Sequence, residues 1–204
     1  FILFYIFILI YFLIFLKKKI KALIISLIIS TIIISPYLKR NYENFDKYFI
    51  LTKSFGYNLL KGNNPETRVE GYVNLKKLNF KKDFLIEPNN HYEINLDNFY
   101  KDEAFKFIKL EPIRYVKLYF LKVFSFVLID FNSSYPNYYN LAHILPKLML
   151  SIFSIIGAVT LINRRSIFQY LSFYYLLNIF LFSFFFILPR YSMILLPIQI
   201  LLSI

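Results

Sequence analysis

Long apolar runs broken by short basic loops constrain this chain more than any other feature. A helix that crosses a bilayer needs roughly 20 mainly apolar residues. Phe1 to Leu16 reads as one span, and Ala22 to Ser35, stretching to about Leu38, as a second. Ile144 to Ile162 reads as a third, Ser166 to Ile187 as a fourth, and Ser192 to Ile204 as the start of a fifth. Lys17, Lys18, Lys19 and Lys21 separate the first two, and Arg164 and Arg165 the third and fourth. Short basic loops stay in the cytoplasm. Residues 37–112 are then expected outside, together with the turn Leu188-Pro189-Arg190-Tyr191.

The charges distribute accordingly. Residues 37–112 carry 13 Lys and Arg against 11 Asp and Glu, whereas the rest of the chain carries 11 basic residues and one acid, Asp130. The net charge of +12 is therefore mostly membrane-flanking charge, and a nucleic-acid partner is not expected. With 58% hydrophobic residues, the chain is more apolar than an ordinary soluble domain. It has no Cys, which excludes a thiolate metal site, a disulfide framework and a Cys nucleophile. Its two His, His91 and His143, stand far apart without an acidic cluster, so no metal site is expected. Heavy use of Ile, Phe, Tyr, Lys and Asn with few Gly fits AT-rich codons and a bacterial source. Both ends fall within apolar runs, so the chain is expected to be a fragment of a longer protein. Neither a basic stretch before the first run nor a small-residue cleavage site after it marks a signal peptide.

The expected fold is an all-α polytopic membrane protein with a small mixed extracytoplasmic domain. Residues 1–36 hold two transmembrane helices, the first truncated. Residues 37–112 form the extracytoplasmic domain, and residues 113–143 an interfacial amphipathic helix and loop. Residues 144–204 hold two transmembrane helices and the start of a third. Ile113 to Phe131 is long enough to span, but a span there would move Arg164 and Arg165 outside. With Arg114, Lys117 and Lys122 it reads as a helix at the outer interface whose Lys stems snorkel; a true span that breaks the charge rule is the alternative.

Within the outer segment, Glu43 to Phe55 has the spacing of a short interfacial helix, and Asn98 to Lys109 that of another. Gly56 and Gly62-Asn63-Asn64-Pro65 read as turn punctuation. Leu75 to Asn95 reads as loop or short strand. Glu66 and Glu70 stand four apart in a stretch with no clear helix, so a paired-carboxylate site there has little support.

Four motifs then stand in order: Pro36-Tyr37 with Arg40-Asn41-Tyr42, Gly56-Tyr57-Asn58-Leu59 with Gly62-Asn63-Asn64-Pro65, Glu111-Pro112 with Lys122, and Arg190-Tyr191 with Pro197. In this order they resemble bacterial members of the dolichyl-phosphate-mannose protein mannosyltransferase and aminoarabinose-transferase group, the glycosyltransferase family 39-like enzymes. The resemblance implies a GT-C-like membrane enzyme in the bacterial inner membrane. It would transfer a sugar from a polyprenyl-phosphate donor to a lipid, glycan or protein acceptor on the outer face. The family's catalytic carboxylate lies in the first outer loop, ahead of this chain, so no catalytic residue is assigned and the fragment alone is expected to be inactive. No cofactor is assigned; a divalent metal in the full-length enzyme is compatible with the resemblance.

Each candidate residue carries a structural reading beside the functional one. Arg190 suits the donor phosphate, a guanidinium fork against phosphate oxygens, or anchors the interface with Tyr191 in the aromatic belt. Arg40, beside Asn41, binds phosphate, orients the domain, or pairs with Glu43 or Asp46. Lys122 reaches a phosphate or snorkels. Gly62, Asn63 and Asn64 form a turn, or offer amides to sugar or acceptor. Tyr57 and Asn58 are expected to fix that loop against membrane helices. A lipid-linked-glycan flippase or transporter is the rival reading; it calls for polar or discontinuous helices at mid-membrane.

Overall fold

The computed structural model describes residues 20–45, 54–70, 91–128, 140–162, 167–185 and 193–204, with Ile6, Leu9, Ile10, Leu13, Leu78 and Ile187 as single positions. Most of these residues are helical. In chain order the helices are α1 (Ile20–Phe45), α2 (Phe55–Gly62), α3 (Tyr92–Leu110), α4 (Pro112–Val127), α5 (Leu141–Leu161), α6 (Ile167–Ser183) and α7 (Leu196–Ser203), the last preceded by a 3₁₀ turn at Met193–Leu195. No strand forms among the described residues; a single parallel bridge joins Glu70 to Ile187. The Leu75 to Asn95 expectation falls largely outside the described residues, although its last four positions open α3.

Among the described residues two helices are long and apolar enough to cross a membrane, Lys21–Phe45 and Leu141–Leu161; Ile167–Ser183 and Met193–Ser203 are shorter apolar helices. Both long helices expose most of their apolar side chains, the reverse of the core helix of a soluble protein. The chain divides into two compact units, Phe1–Ser54 with Ile86–Leu96, and Phe55–Leu85 with Asp97–Ile204.

In the first unit α1 runs straight through Pro36, where the sequence suggests a boundary. A proline inside a helix leaves the carbonyl four residues back without its N–H donor. Here the Ser35 hydroxyl donates to that carbonyl, Ile32 O, at 2.8 Å. The helix can therefore continue to Phe45, and the Arg40-Asn41-Tyr42 motif is helical.

In the second unit Pro112 breaks what is otherwise an almost continuous helix. α3 closes with Glu111 N–H donating to Phe107 O at 3.2 Å, and α4 opens with Tyr115 N–H donating to Glu111 O at 3.3 Å. Proline is tolerated in that first turn because its missing N–H would have no intrahelical partner there. α4 ends at Val127, short of Phe131. Its 16 residues rise about 24 Å, less than the ~30 Å hydrocarbon core. Ile113, Val116, Phe120 and Phe124 line its exposed face, while Tyr115, Leu118, Lys122, Ser125 and Phe126 are buried.

α5 starts at Leu141, three residues before the expected span. The Asn140 side chain caps it, accepting from Ala142 N–H at 3.0 Å. α5 and α7 run parallel: Pro146 and Lys147 lie with Met193 and Leu196, and Gly157 lies against Leu202. A Cβ at Gly157 would overlap the Leu202 carbonyl, so this approach requires glycine. α6 packs beside both. Ser154 Oγ and Tyr175 Oη stand 3.1 Å apart, and Gln199 Nε2 donates to Tyr175 Oη at 3.1 Å. Ser154 spends its only proton on Ser151 O at 3.0 Å, so Tyr175 must donate to Ser154 and accept from Gln199. One directed chain of hydrogen bonds thus clasps three apolar helices.

Candidate functional site

The stretch from Phe55 to Glu70 assembles a polar junction at one end of this helix set. It begins with a close helix crossing. Gly56 lets α2 approach α3 so closely that a Cβ would overlap the Asp97 carbonyl. Tyr57 N–H, an orphan donor in the first turn of α2, donates to Asp97 Oδ1 at 3.1 Å. Leu59 and Leu60 bury against Ala104, with Tyr100, Phe107 and Phe185 packed around them. Lys61 covers the Tyr57 ring, its ammonium 4.8 Å from the centroid.

The chain then leaves α2 through two buried asparagines. Asn63 Nδ2 donates to Leu59 O at 2.9 Å and to Phe184 O at 2.7 Å, tying the loop to the end of α6. Asn64, fully buried, donates to Leu60 O at 2.7 Å and accepts from Glu66 N–H at 2.9 Å. Thr67 Oγ1 accepts from Asn64 N–H at 3.0 Å and donates to Lys61 O at 3.1 Å. These side chains satisfy the carbonyls that a helix end leaves open. Both Asn amide nitrogens are thus spent inside the protein, which disfavours the reading in which they present donors to sugar or acceptor.

α4 clamps the loop from the other side. Arg114 donates to Pro65 O at 2.5 Å, Lys122 to Gly62 O at 2.5 Å, and Ser125 to Glu70 Oε1 at 2.8 Å. Tyr119 Oη donates to Phe180 O at 3.1 Å, and Phe126 stacks on Phe182 with centroids 5.9 Å apart, so the same helix is also fastened to α6. Lys122 is 1% exposed, which corrects the snorkelling expectation. The reason is a polar acceptor sixty residues back: the ammonium turns inward to a carbonyl instead of outward to an interface. Burial pushes its pKa down from the ordinary lysine value to about 7.

The structure brings Tyr57, Asn58, Gly62, Asn63, Asn64 and Lys122 together in the second unit. Arg40 and Asn41 belong to α1 in the first unit, Arg40 exposed and Asn41 buried. The exposed ion pair there joins Lys39 to Glu43 at 3.8 Å. Arg190 and Tyr191 lie outside the described residues. Glu66 is exposed while Glu70 is 1% exposed, so these two carboxylates occupy different environments. Among the described residues no group of three His, Asp or Glu side chains is placed to hold a metal.

Comparison with family models, curated proteins and solved structures finds no match to this chain. The functional residues must therefore be argued from their own geometry. Sequence reasoning missed Ser125, Lys147, Tyr175 and Gln199 as members of polar contacts. Each is a single polar residue in an apolar run, a signal that points inward only once its partner is known. A cavity of about 240 Å³ lies between α5 and the start of α7, lined by Pro146, Lys147, Leu150, Ser151, Met193, Leu196 and Gln199.

Proposed function

We propose that the chain is the membrane-embedded part of a GT-C-class glycosyltransferase. It moves a sugar from a polyprenyl-phosphate donor to a lipid, glycan or protein acceptor at the extracytoplasmic face of a bacterial inner membrane. The observation that carries this reading is the junction at Gly56–Glu70. The same stretch that bears the family-like motifs is a densely hydrogen-bonded polar loop docked on one end of an apolar helix set. A linker between spans needs no such construction.

In this reading the chain crosses the membrane several times and the junction lies outside. The fall of Arg164 and Arg165 at the opposite end of α5 and α6 supports that orientation. The reaction is an inverting displacement in which an acceptor oxygen bonds to the anomeric carbon as the bond to the lipid phosphate breaks, the family's carboxylate takes the acceptor's proton as base, and Arg190 or Arg40 neutralises the departing phosphate. Lys122 and the two asparagines position the loop rather than touch the sugar, because their donors end on backbone carbonyls.

The test uses membranes that contain the full-length parent protein, supplied with radiolabelled polyprenyl-phosphate sugars, comparing the parent with its Arg190→Ala variant at equal protein level. Transfer by the parent and its loss in the variant is the expected result. Equal transfer reduces Arg190 to an interface anchor, and no transfer with any donor sugar removes the enzyme reading. The flippase reading draws on the polar chain Gln199–Tyr175–Ser154 inside the apolar helices. Those groups satisfy one another, which suits a fixed clasp better than a transport path.

A further inference from the structure

We propose that α4 is a membrane-surface clamp: its outward face docks on the anionic headgroup layer of the bilayer, and that seat holds its inward face closed on the Gly62–Glu70 loop. A helix on the surface of a soluble protein turns its apolar side in and its charges out. On α4 a lysine and a serine face in, and a stripe of large apolar groups faces out. Ile113, Val116, Phe120, Leu121 and Phe124 are all exposed, Ile113 to 85% and Phe120 to 61%. Lys122 stands two residues from both Phe120 and Phe124, so it lies about 160° around the helix from them, and it is buried with Ser125. A contiguous exposed apolar face of this kind marks a membrane or a partner.

The charges on the outward face choose between the two. Lys117 follows Ile113 by one turn and precedes Phe120 by another, so it stands inside the stripe, with Arg114 at its edge. Lys117 is exposed and makes no ion pair among the described residues. Residues 112–127 contain no acid. A second copy meeting this face across a two-fold axis would bring like charges together with nothing on the helix to offset them. An anionic lipid surface offsets both cations and takes the apolar groups at its acyl boundary. The depth follows as well: exposed cations are costly in hydrocarbon, so the face belongs among the headgroups.

The outward face is also continuous with the apolar helix set. Tyr119 Oη donates to Phe180 O and its ring lies 4.6 Å from that of Phe184, so the stripe runs on to the exposed Phe180 and Phe184 at the end of α6. One bilayer covers both surfaces. Inward, Arg114, Lys122 and Ser125 reach Pro65 O, Gly62 O and Glu70 Oε1 from points spread over about three turns of one helix. Tilting α4 away from the lipid therefore strains the loop contacts. Seating and closure are linked, and each favours the other by the same factor. Neither depends on sugar transfer.

The test uses the 204-residue chain in nanodiscs of phosphatidylglycerol or of phosphatidylcholine. The chain has no Trp, so Phe120→Trp places a single fluorophore on the outward face. Quenching by lipid brominated near the carbonyl, with protection from acrylamide, is the expected result. Quenching by acrylamide alone places the face in water, and protection from both places it against protein; either overturns the docking. Closure is read by hydrogen exchange at Asn63, Asn64, Glu66 and Thr67, whose N–H groups are all hydrogen-bonded within the loop and its helix end. Lys117→Glu is expected to speed this exchange about fivefold or more in phosphatidylglycerol and to leave it unchanged in phosphatidylcholine. The double variant Phe120→Gln with Phe124→Gln is expected to speed it in both lipids, with exchange in α5 and α7 kept at the parent level. Loop exchange that neither variant changes overturns the coupling, and an equal rise in both lipids for Lys117→Glu overturns the anionic preference. These readouts involve no sugar donor, so their failure leaves the Arg190→Ala transfer result standing, and a failure of transfer leaves them in force.

Discussion

Replacing Lys122 with Met keeps the length of the side chain and removes its charge. In the folded protein the ammonium is 1% exposed and its pKa is lowered to about 7. In the unfolded chain a lysine titrates near 10.4. Between pH 7 and 10 the unfolded state therefore binds more protons than the folded one, and stability rises as pH rises through this window. Below about pH 7 both states are protonated and the burial cost is fully present. Integrating the proton difference from pH 6 to pH 9 gives about 2.5 kcal/mol of added stability in the parent. The Met variant lacks this increment. It also leaves Gly62 O without its donor, at a cost of about 1–3 kcal/mol at every pH. The variant is thus expected to be less stable than the parent at pH 9, with the gap closing or reversing at pH 6. Unfolding by sodium dodecyl sulfate in mixed micelles, followed by circular dichroism at pH 6, 7.5 and 9, measures both curves. Parallel curves for parent and variant would refute the reasoning, because Lys122 would then be solvated or paired in the folded state.

Gly56→Val should force α2 and α3 apart at the Asp97 carbonyl, lowering stability by about 3 kcal/mol in the same unfolding assay. Asn64→Ala should cost about 2–3 kcal/mol, since Leu60 O loses its donor and Glu66 N–H its acceptor, and should open the loop to proteolysis before the rest of the second unit. Tyr175→Phe removes one hydroxyl but two hydrogen bonds between α5, α6 and α7; in a membrane setting that is about 1 kcal/mol, read as a small shift of the melting curve.

The helices were legible where apolar residues run uninterrupted. The third and fourth apolar runs agree with α5 and α6 to within a few residues, the remaining difference at α5 being the Asn140 cap. Other boundaries depended on chemistry that a linear reading does not weigh. Pro36 reads as a stop, yet Ser35 supplies the missing donor to Ile32 O. Gly56 reads as a turn, yet it is a helical residue whose missing side chain lets another helix in. The Asn98–Lys109 expectation found the right helix but not its first two turns. The polar junction was the least legible part. Lys122 and Gly62 are sixty residues apart, Ser125 and Glu70 fifty-five, and Asn63 and Phe184 one hundred and twenty-one. Nothing local distinguishes a lysine that snorkels from one that turns inward, because the deciding acceptor arrives from a distant part of the chain.

Extracytoplasmic sugar transfer requires the Gly56–Glu70 junction to lie at the outer face. The chain contains no Cys, so single cysteines report their own position without background. Glu66→Cys places a thiol at an exposed position in the loop, and Arg164→Cys one in the basic loop at the other end of α5. Both are tested in intact cells with a membrane-impermeant maleimide. Labelling of Cys at 66 in intact cells, and at 164 only after permeabilisation, is the predicted result. Labelling at 164 in intact cells with 66 protected until permeabilisation would contradict it, placing the junction in the cytoplasm and removing the extracytoplasmic sugar transfer.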